Sequence, residues 1–349
     1  MAAHTAIGLD IGTSGVRAAQ VTVSRGQLTL DRFGQVALPH GAVRDGEVAD
    51  ADAVAEAIKS LWASAKFSSK KVVLGVANQR VVVRQVTLPW MEPKDLKESL
   101  KYQVADLVPM PVDDAVLDFV AIDEVDNDNG RQVRGLLVAA AQDMVLGSIR
   151  AAQKAGLTPT TVDLTPFAVL RSLGSAQTTS LGAPEALVDI GAKVTNIIVH
   201  EGGVPLFVRV LLMGGEDVTD TLVEKLGVGL AEAESLKRVA PFDPSPEAQA
   251  AQRVLLTAVA NFVGEVRGSV DYYLATSGSR PLSRLVLSGG GARLAGLTER
   301  LAEATRTQVV HGSTFARMEI GKTGLSPDQL RFVESMAAVP VGLAMGVAS

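Results

Sequence analysis

The chain has 349 residues, 47% of them hydrophobic and 20% charged, with a net charge of −5 and no cysteine. This balance excludes a disordered chain, because enough apolar side chain is present to offset chain entropy. The acidic net charge, with no basic stripe, argues against nucleic acid as a partner. The missing cysteine removes disulfides, Cys-ligated zinc and a Cys nucleophile.

In chain order, "AIGLDIG" and "VRAAQVTVSRGQLTL" read as β-branched strands joined by tight turns, one of them "SRGQ". "DADAVAEAIKSLWASAK" places apolar residues at helical spacing, with Asp50 or Asp52 as N-cap. Two strands follow, "KVVLGVA" and "RVVVRQVTL". Pro93 opens a polar helix expected over 94–108, which stops before "PMP". "AVLDFVAIDE" and "RQVRGLLVAAA" are expected as strands around the turn "DNDNG", with a helix over 143–155 after them. The uncharged stretch 172–184 reads as the main linker. Beyond it come strand pairs, a Gly-Gly turn at 214–215, helices to 276 broken by "PFDPSP", and a strand, glycine turn and helix in "RLVLSGGGARLAGL". A last helix is expected over 327–346. No secretory signal is visible, and the longest uncharged run, 335–349, is shorter than the ~20 apolar residues of a membrane span.

One pattern occurs twice. "GLDIGTSGVRAAQV" and "ALVDIGAKVTNIIV" each carry an apolar strand ending in Asp, then Ile-Gly, small residues and a second strand. Such a turn exposes successive backbone N–H groups that suit phosphate oxygens. Gly12 and Gly191 remove a Cβ that would block their approach, and Thr13, Ser14 and Thr195 add hydroxyls. Asp10 and Asp189 cannot bind phosphate directly. They fit a hard cation placed between them and the phosphates, and Mg²⁺ is held in that way. A single copy is usually only a turn; two copies, each opening one half of the chain, point to a nucleotide. The third cluster, "SGGGARLAG", follows a strand and opens a helix, where backbone approaches a nucleotide. It has neither the P-loop Lys nor Rossmann spacing. Glu234 and Lys237 share a helix face.

These motifs together resemble the actin-like ATPase superfamily. The segments "VTLPWMEPKDLKESLKYQVADLVPMPVDDAVLDF", "AGLTPTTVDLTPFAVLR", "VDIGAKVTNIIVHEGGVPLFVRVLLMGGEDVT" and "VPVGLAMG" are similar to the type IV pilus assembly PilM family, related to the division protein FtsA. The resemblance implies an α/β fold of actin-like type. It would have two lobes, duplicated and RNase H-like, and an inserted FtsA-type subdomain in lobe 1. The implied division is 1–85 plus 138–178 for the lobe 1 core, 86–137 for the insert, 179–213 plus 283–349 for the lobe 2 core, and 214–282 for its smaller subdomain. The last helix would pack back on lobe 1.

The resemblance further implies ATP and Mg²⁺ as cofactors, with Asp10 and Asp189 at the metal. The nucleotide set is Gly12, Thr13, Ser14, Gly15 and Arg17 from the first hairpin and Gly191, Ala192, Lys193 and Thr195 from the second. Gly214, Gly215, Glu234, Lys237, Gly289, Gly290, Gly291 and Ala292 complete it. The implied partner is the N-terminal cytoplasmic tail of a PilN-like inner-membrane pilus protein, with other platform or motor components as further candidates and no direct membrane insertion. The tail would lie in a groove between the lobe 1 core and the insert, walled by the helix 94–108 and the strand 117–122. The chain would work at the inner face of the cytoplasmic membrane. Two other readings stay open here: an FtsA-like division protein, whose basic C-terminal helix has no counterpart after Arg331, and a sugar or acid kinase, for which no acceptor motif is evident. No dedicated base stands out, so slow or absent turnover is expected. Gln142 is able to position water, but a helix cap is the reading preferred for it.

Overall fold

The computed structural model describes residues 4–127, 130–174, 182–276 and 280–348. The middle of the expected linker, 175–181, and part of the expected turn "DNDNG" lie outside the described residues.

The chain opens with an antiparallel meander of β1 (His4–Ile11), β2 (Gly15–Ser24) and β3 (Gln27–Ala37). Arg25 and Gly26, the central residues of the "SRGQ" turn, both take positive φ, which suits the twist of a two-residue hairpin. A ribbon of β4 (Val43–Arg44) and β5 (Glu47–Val48) leads to α1 (Ala51–Ala65). Asp50 caps α1 by accepting the N–H groups of Asp52 and Ala53. The apolar stripe of α1, including Val54, Ile58 and Leu61, is buried with Ile7, Leu9 and Val16 of the meander. β6 (Lys71–Val76) pairs parallel to β1.

β7 (Val81–Pro89), α2 (Pro93–Gln103), β8 (Ala115–Asn127) and β9 (Gly130–Ala141) form the insert, with sheet order β7-β9-β8. This sheet begins before residue 86 and ends after 137, so both expected boundaries fall inside strands. α2 is shorter than the expected 94–108. It ends at Gln103 so that Val104 turns fully into the insert core beside Leu88, Leu100 and Leu137. Pro109 also disfavours helix at Val108. α3 (Gln142–Lys154), β10 (Thr158–Leu164) and α4 (Thr165–Leu173) complete the first half.

The second half repeats the meander with β11 (Glu185–Ile190), β12 (Thr195–Glu201) and β13 (Val204–Leu211). Three helices follow: α5 (Gly215–Leu226), α6 (Leu230–Val239) and α7 (Pro246–Thr276). After them come β14 (Arg284–Ser288), α8 (Leu297–Thr305), β15 (Gln308–His311) and β16 (Met318–Ile320). The expected final helix is two, α9 (Pro327–Val333) and α10 (Ala338–Ala348), bent by 86°. Pro340 explains the restart: lacking an N–H, it fits only the first turn of α10.

The six-stranded sheet runs β10-β6-β1-β2-β3-β16 and the five-stranded sheet β13-β12-β11-β14-β15. The chain crosses between them twice. α4 leaves the first half to pack on β11 and β12, and α10 returns to pack on β1, β2 and α4. The insert touches both sheets, since Leu136 and Val83 share a cluster with Val73 of one and Val208 and Ile198 of the other. No single helix among the described residues is long and apolar enough to cross a membrane.

Candidate functional site

The two meanders present their Asp residues in the same way. Asp10, near the end of β1, faces Arg17 across the ladder, and Asp189 of β11 faces Asn196 at the equivalent position. The turns match as well: Gly12 N–H donates to Gly15 O at 3.1 Å, and Gly191 N–H donates to Val194 O at 2.9 Å. Each closure leaves the next two N–H groups, of Thr13 and Ser14 and of Ala192 and Lys193, without an acceptor among the described residues. These are the successive free donors that an anion nest requires.

Arg17 approaches Asp10 with Nη1 3.7 Å from Oδ2, and both side chains are largely buried. Burial pushes the Asp10 carboxyl up to about 6. Arg17 works against this rise and Asp189 adds to it, so the two carboxylates sense each other across the lobes. Asp189 is raised too, mainly by burial, although Ser288 donates its hydroxyl to Oδ1 at 2.8 Å. The site thus holds two carboxylates whose ionised forms are under-compensated, which is the electrostatic condition a cation relieves. Arg17 Nε and Asn196 Oδ1 are buried with no hydrogen-bond partner. Orphaned polar atoms beside the carboxylates fit a site built for a polar ligand. Among the described residues no group of three or more His, Cys, Asp or Glu converges on a metal, so a cation here must draw other ligands from water and phosphate.

Other expected site residues divide by what they touch. Lys193 Nζ pairs with Asp217 Oδ1 at 3.0 Å and with Asp220, which directs it towards α5. Thr195 is buried and donates to Met213 O at 2.7 Å, so its hydroxyl faces away from the turn. The Gly215 and Glu216 N–H groups at the start of α5 donate to Gly191 O and Ala192 O at 3.0 and 2.8 Å. Gly214 N–H donates to Asp217 Oδ2 at 2.7 Å. Gly214 and Gly215 therefore dock α5 on the second hairpin and keep no free donor there. Glycine is required at 214, where a Cβ would lie 2.5 Å from the Gly191 and Ala192 carbonyls.

The third glycine turn joins this arrangement. Gly289 takes φ +84 and Gly291 packs against Ile190, with Ala292 buried beneath. Gly290 at the surface of the turn faces Met336. Lys237 Nζ reaches Gly215 O at 2.8 Å and pairs with Glu234 Oε2 at 2.6 Å. Partial burial works against ionisation of Glu234, but hydrogen bonds from Lys237, Arg238 and Thr219 outweigh it and hold the carboxyl low. Gln142 is the first residue of α3 and caps nothing; the N-cap is Ala141, with no side-chain bond. The expected cap is thus not formed, because the helix begins one residue earlier than a capping role needs. Its neighbour Asp143 pairs with Arg80 at 2.5 Å. Asn196 and Ser288 were not among the expected site residues. Asn196 stands seven places after Asp189, as Arg17 does after Asp10, so extending the repeat would have found it; nothing in the sequence singles out Ser288.

The profile of the family "Type IV pilus assembly protein PilM" matches residues 8–347. The cell division protein FtsA of Bacillus subtilis (strain 168) is 24% identical over 254 residues, 66% of this chain and 57% of that protein. FtsA of Streptococcus pneumoniae is 27% identical over 252 residues, 66% of this chain and 54% of that protein. The chain thus spans little more than half the length of these curated relatives. A solved PilM–PilN type IV pilus biogenesis complex matches with TM-score 0.85 and 27% identity over 99% of this chain and 98% of that one. MreB5 of Spiroplasma citri, solved bound to ADP, shares the fold at 14% identity, with TM-score 0.54 over 98% of this chain and 95% of that one. The architecture is therefore the α/β actin-like fold, and the chain belongs to the type IV pilus assembly protein PilM family.

Proposed function

We propose that this chain is an ATP-binding adaptor of the type IV pilus assembly platform, which docks the N-terminal tail of a PilN-like membrane protein. The observation that carries the reading is the match over nearly the whole chain to the protein of the PilM–PilN complex. For the nucleotide, the Thr13, Ser14, Ala192 and Lys193 N–H groups and Arg17 would hold the phosphates. Glu234, Lys237 and the turn 289–291 would flank the nucleoside end. Asp10 and Asp189 would hold Mg²⁺ through water, and bound Mg²⁺ would offset the triphosphate charge. The chain's own residues supply binding and orientation. With Asp143 tied to Arg80 and Gln142 exposed at the head of α3, neither supplies a positioned base, which supports slow or absent turnover.

For the partner, the groove between the first sheet and the insert is the proposed seat. Leu100 and Val104 face the insert core and are spoken for, while Tyr102, Leu107 and Val116 are exposed apolar surface on the same unit. Membrane proximity would then come from the partner, at the inner face of the cytoplasmic membrane. The test is calorimetry of the purified chain with a synthetic N-terminal PilN peptide, with and without Mg-ATP. Saturable binding is expected. No binding to the peptide, by a folded chain that still binds ATP, would overturn the adaptor reading.

A further inference from the structure

The first sheet carries a second concave site that shares no residue with the hairpin cleft. A cavity of about 480 Å³ opens beside β2, β3 and the end of α1, lined by Gln20, Asp31, Arg32, Lys66, Ser68 and Lys322 among others. Gln20 and Arg32 are cross-strand partners, so the ladder itself fixes them side by side.

The donors are arranged rather than scattered. Gln20 is only 8% exposed, and its Oε1 accepts both the backbone N–H of Ser68 at 3.0 Å and its hydroxyl at 2.9 Å. Those two bonds fix which way the amide points. They leave its NH₂ group as a donor on the cavity lining. Arg32 spends one N–H on the Lys322 carbonyl and keeps the rest of its fork. Among the described residues Arg32, Lys66 and Lys322 take part in no ion pair. The lone carboxylate on the lining, Asp31, already accepts the Thr22 hydroxyl at 2.6 Å.

Three cations and one carboxylate leave a formal charge of +2 on the lining. Unpaired cations are common on surfaces, but here they converge on one concavity with a locked amide donor, and concave walls focus the field of the charges within them. Tethering the Ser68 loop accounts for the oxygen of Gln20. It does not account for the cations or the amide nitrogen. We propose that this cavity is a binding site for a small phosphate-bearing anion, separate from the nucleotide cleft. An arginine fork with two ammonium groups matches the several oxygens of such a group.

The test uses inorganic pyrophosphate without Mg²⁺, read by NMR at the Gln20 side-chain amide and the Ser68 backbone N–H. These report on this cavity, whereas Thr13 and Ser14 report on the cleft. The comparison variant is Lys66→Asn/Lys322→Gln. Lys66 has φ +54, a conformation that Asn tolerates, and the Lys322 side chain is exposed, so the fold is kept. Saturable shifts are expected in the wild type, with affinity about tenfold weaker in the variant, as two nearby charges are lost. The Mg-ATP thermal shift should be the same in both. No saturable shift at Gln20 and Ser68, or equal affinity in the variant, would overturn the proposal. Flotation with phosphatidylglycerol vesicles separates the sources. Flotation that the variant loses assigns a lipid headgroup, and pyrophosphate binding without flotation assigns a free phosphate ester.

Discussion

His40 Nδ1 lies 2.9 Å from Glu216 Oε1, and this pair joins the two halves of the molecule next to the two hairpin turns. Each end is anchored beside a hairpin. Leu38 N–H donates to Ser14 O at 3.1 Å, and Glu216 N–H donates to Ala192 O at 2.8 Å. The pair therefore spans from one hairpin turn to the other, beside the proposed nucleotide site.

Removing the clasp should speed exchange without harming the fold. His40 is well exposed, and pairs of that kind contribute at most ~1 kcal/mol, about a fivefold change in a rate. His40→Ala and Glu216→Gln should each raise the dissociation rate of a fluorescent ATP analogue by about two- to fivefold, and the double variant should add nothing further. Stopped-flow rates that match the wild type would show that the pair does not gate the site.

The carboxylates should separate ligand binding from folding. Burial already favours the neutral form of Asp10 and Asp189, so Asn at either position is tolerated without ligand. Wild-type protein should gain about 2.7 kcal/mol from Mg-ATP at a hundredfold excess over its dissociation constant. Asp10→Asn and Asp189→Asn should lose most of that gain while keeping the ligand-free melting temperature. Scanning fluorimetry with a full Mg-ATP shift in both variants would rule them out as holders of the proposed cation.

Much of this site is legible in the sequence because it rests on chain-local geometry. An Asp near a strand end, Ile-Gly and a short turn set this local geometry, and its repetition marks the two lobes. What was not legible depends on contacts between distant segments. Thr195 looks like a phosphate hydroxyl until the segment after β13 brings the Met213 carbonyl to it. Lys193 looks like a phosphate cation until α5 brings Asp217 and Asp220 to it. The clasp residue His40 has no motif at all, since its partner lies in the other half of the chain. The same holds for the fold: α1 and its Asp50 cap follow from spacing, whereas the end of α2 depends on where Val104 finds its core.

Acid should act on the second sheet through Glu185. Its carboxyl is buried, which works against ionisation, but hydrogen bonds from His200 and Arg284 outweigh this and hold it below its ordinary 4.5. A lowered carboxylate contributes stability that is fully present above 4.5 and is lost as pH falls through the lowered value. Glu185→Gln should therefore cost about 2–3 kcal/mol at pH 7, because it leaves Arg284 without its partner charge. The difference from wild type should shrink as pH falls below 4.5 and through the lowered value. Urea unfolding across that pH range checks it, and a constant difference would show that packing, not charge, is what the variant loses.

The crossing of α4 and α10 sets the last expectation. Gly342 on α10 approaches the Ala168 carbonyl so closely that a Cβ would fall inside its van der Waals shell, and the obstacle is backbone on both sides. Backbone cannot move aside as a side-chain tip does, so Gly342→Ala must push the two helices apart. Overpacking of this kind costs about 1–3 kcal/mol or more. Gly147, inside α3, is the control: a Cβ there meets nothing within 4 Å, and alanine should stabilise the helix by about 0.5–1 kcal/mol. α10 lies on β1 and α4 on β11, the strands that carry Asp10 and Asp189. Spreading the crossing should thus also misalign the two carboxylates and weaken Mg-ATP binding, which Gly147→Ala should leave unchanged. Urea midpoints and ATP calorimetry on the two variants check both halves of the argument. Equal stability of Gly342→Ala and wild type would show that the helices have room to separate.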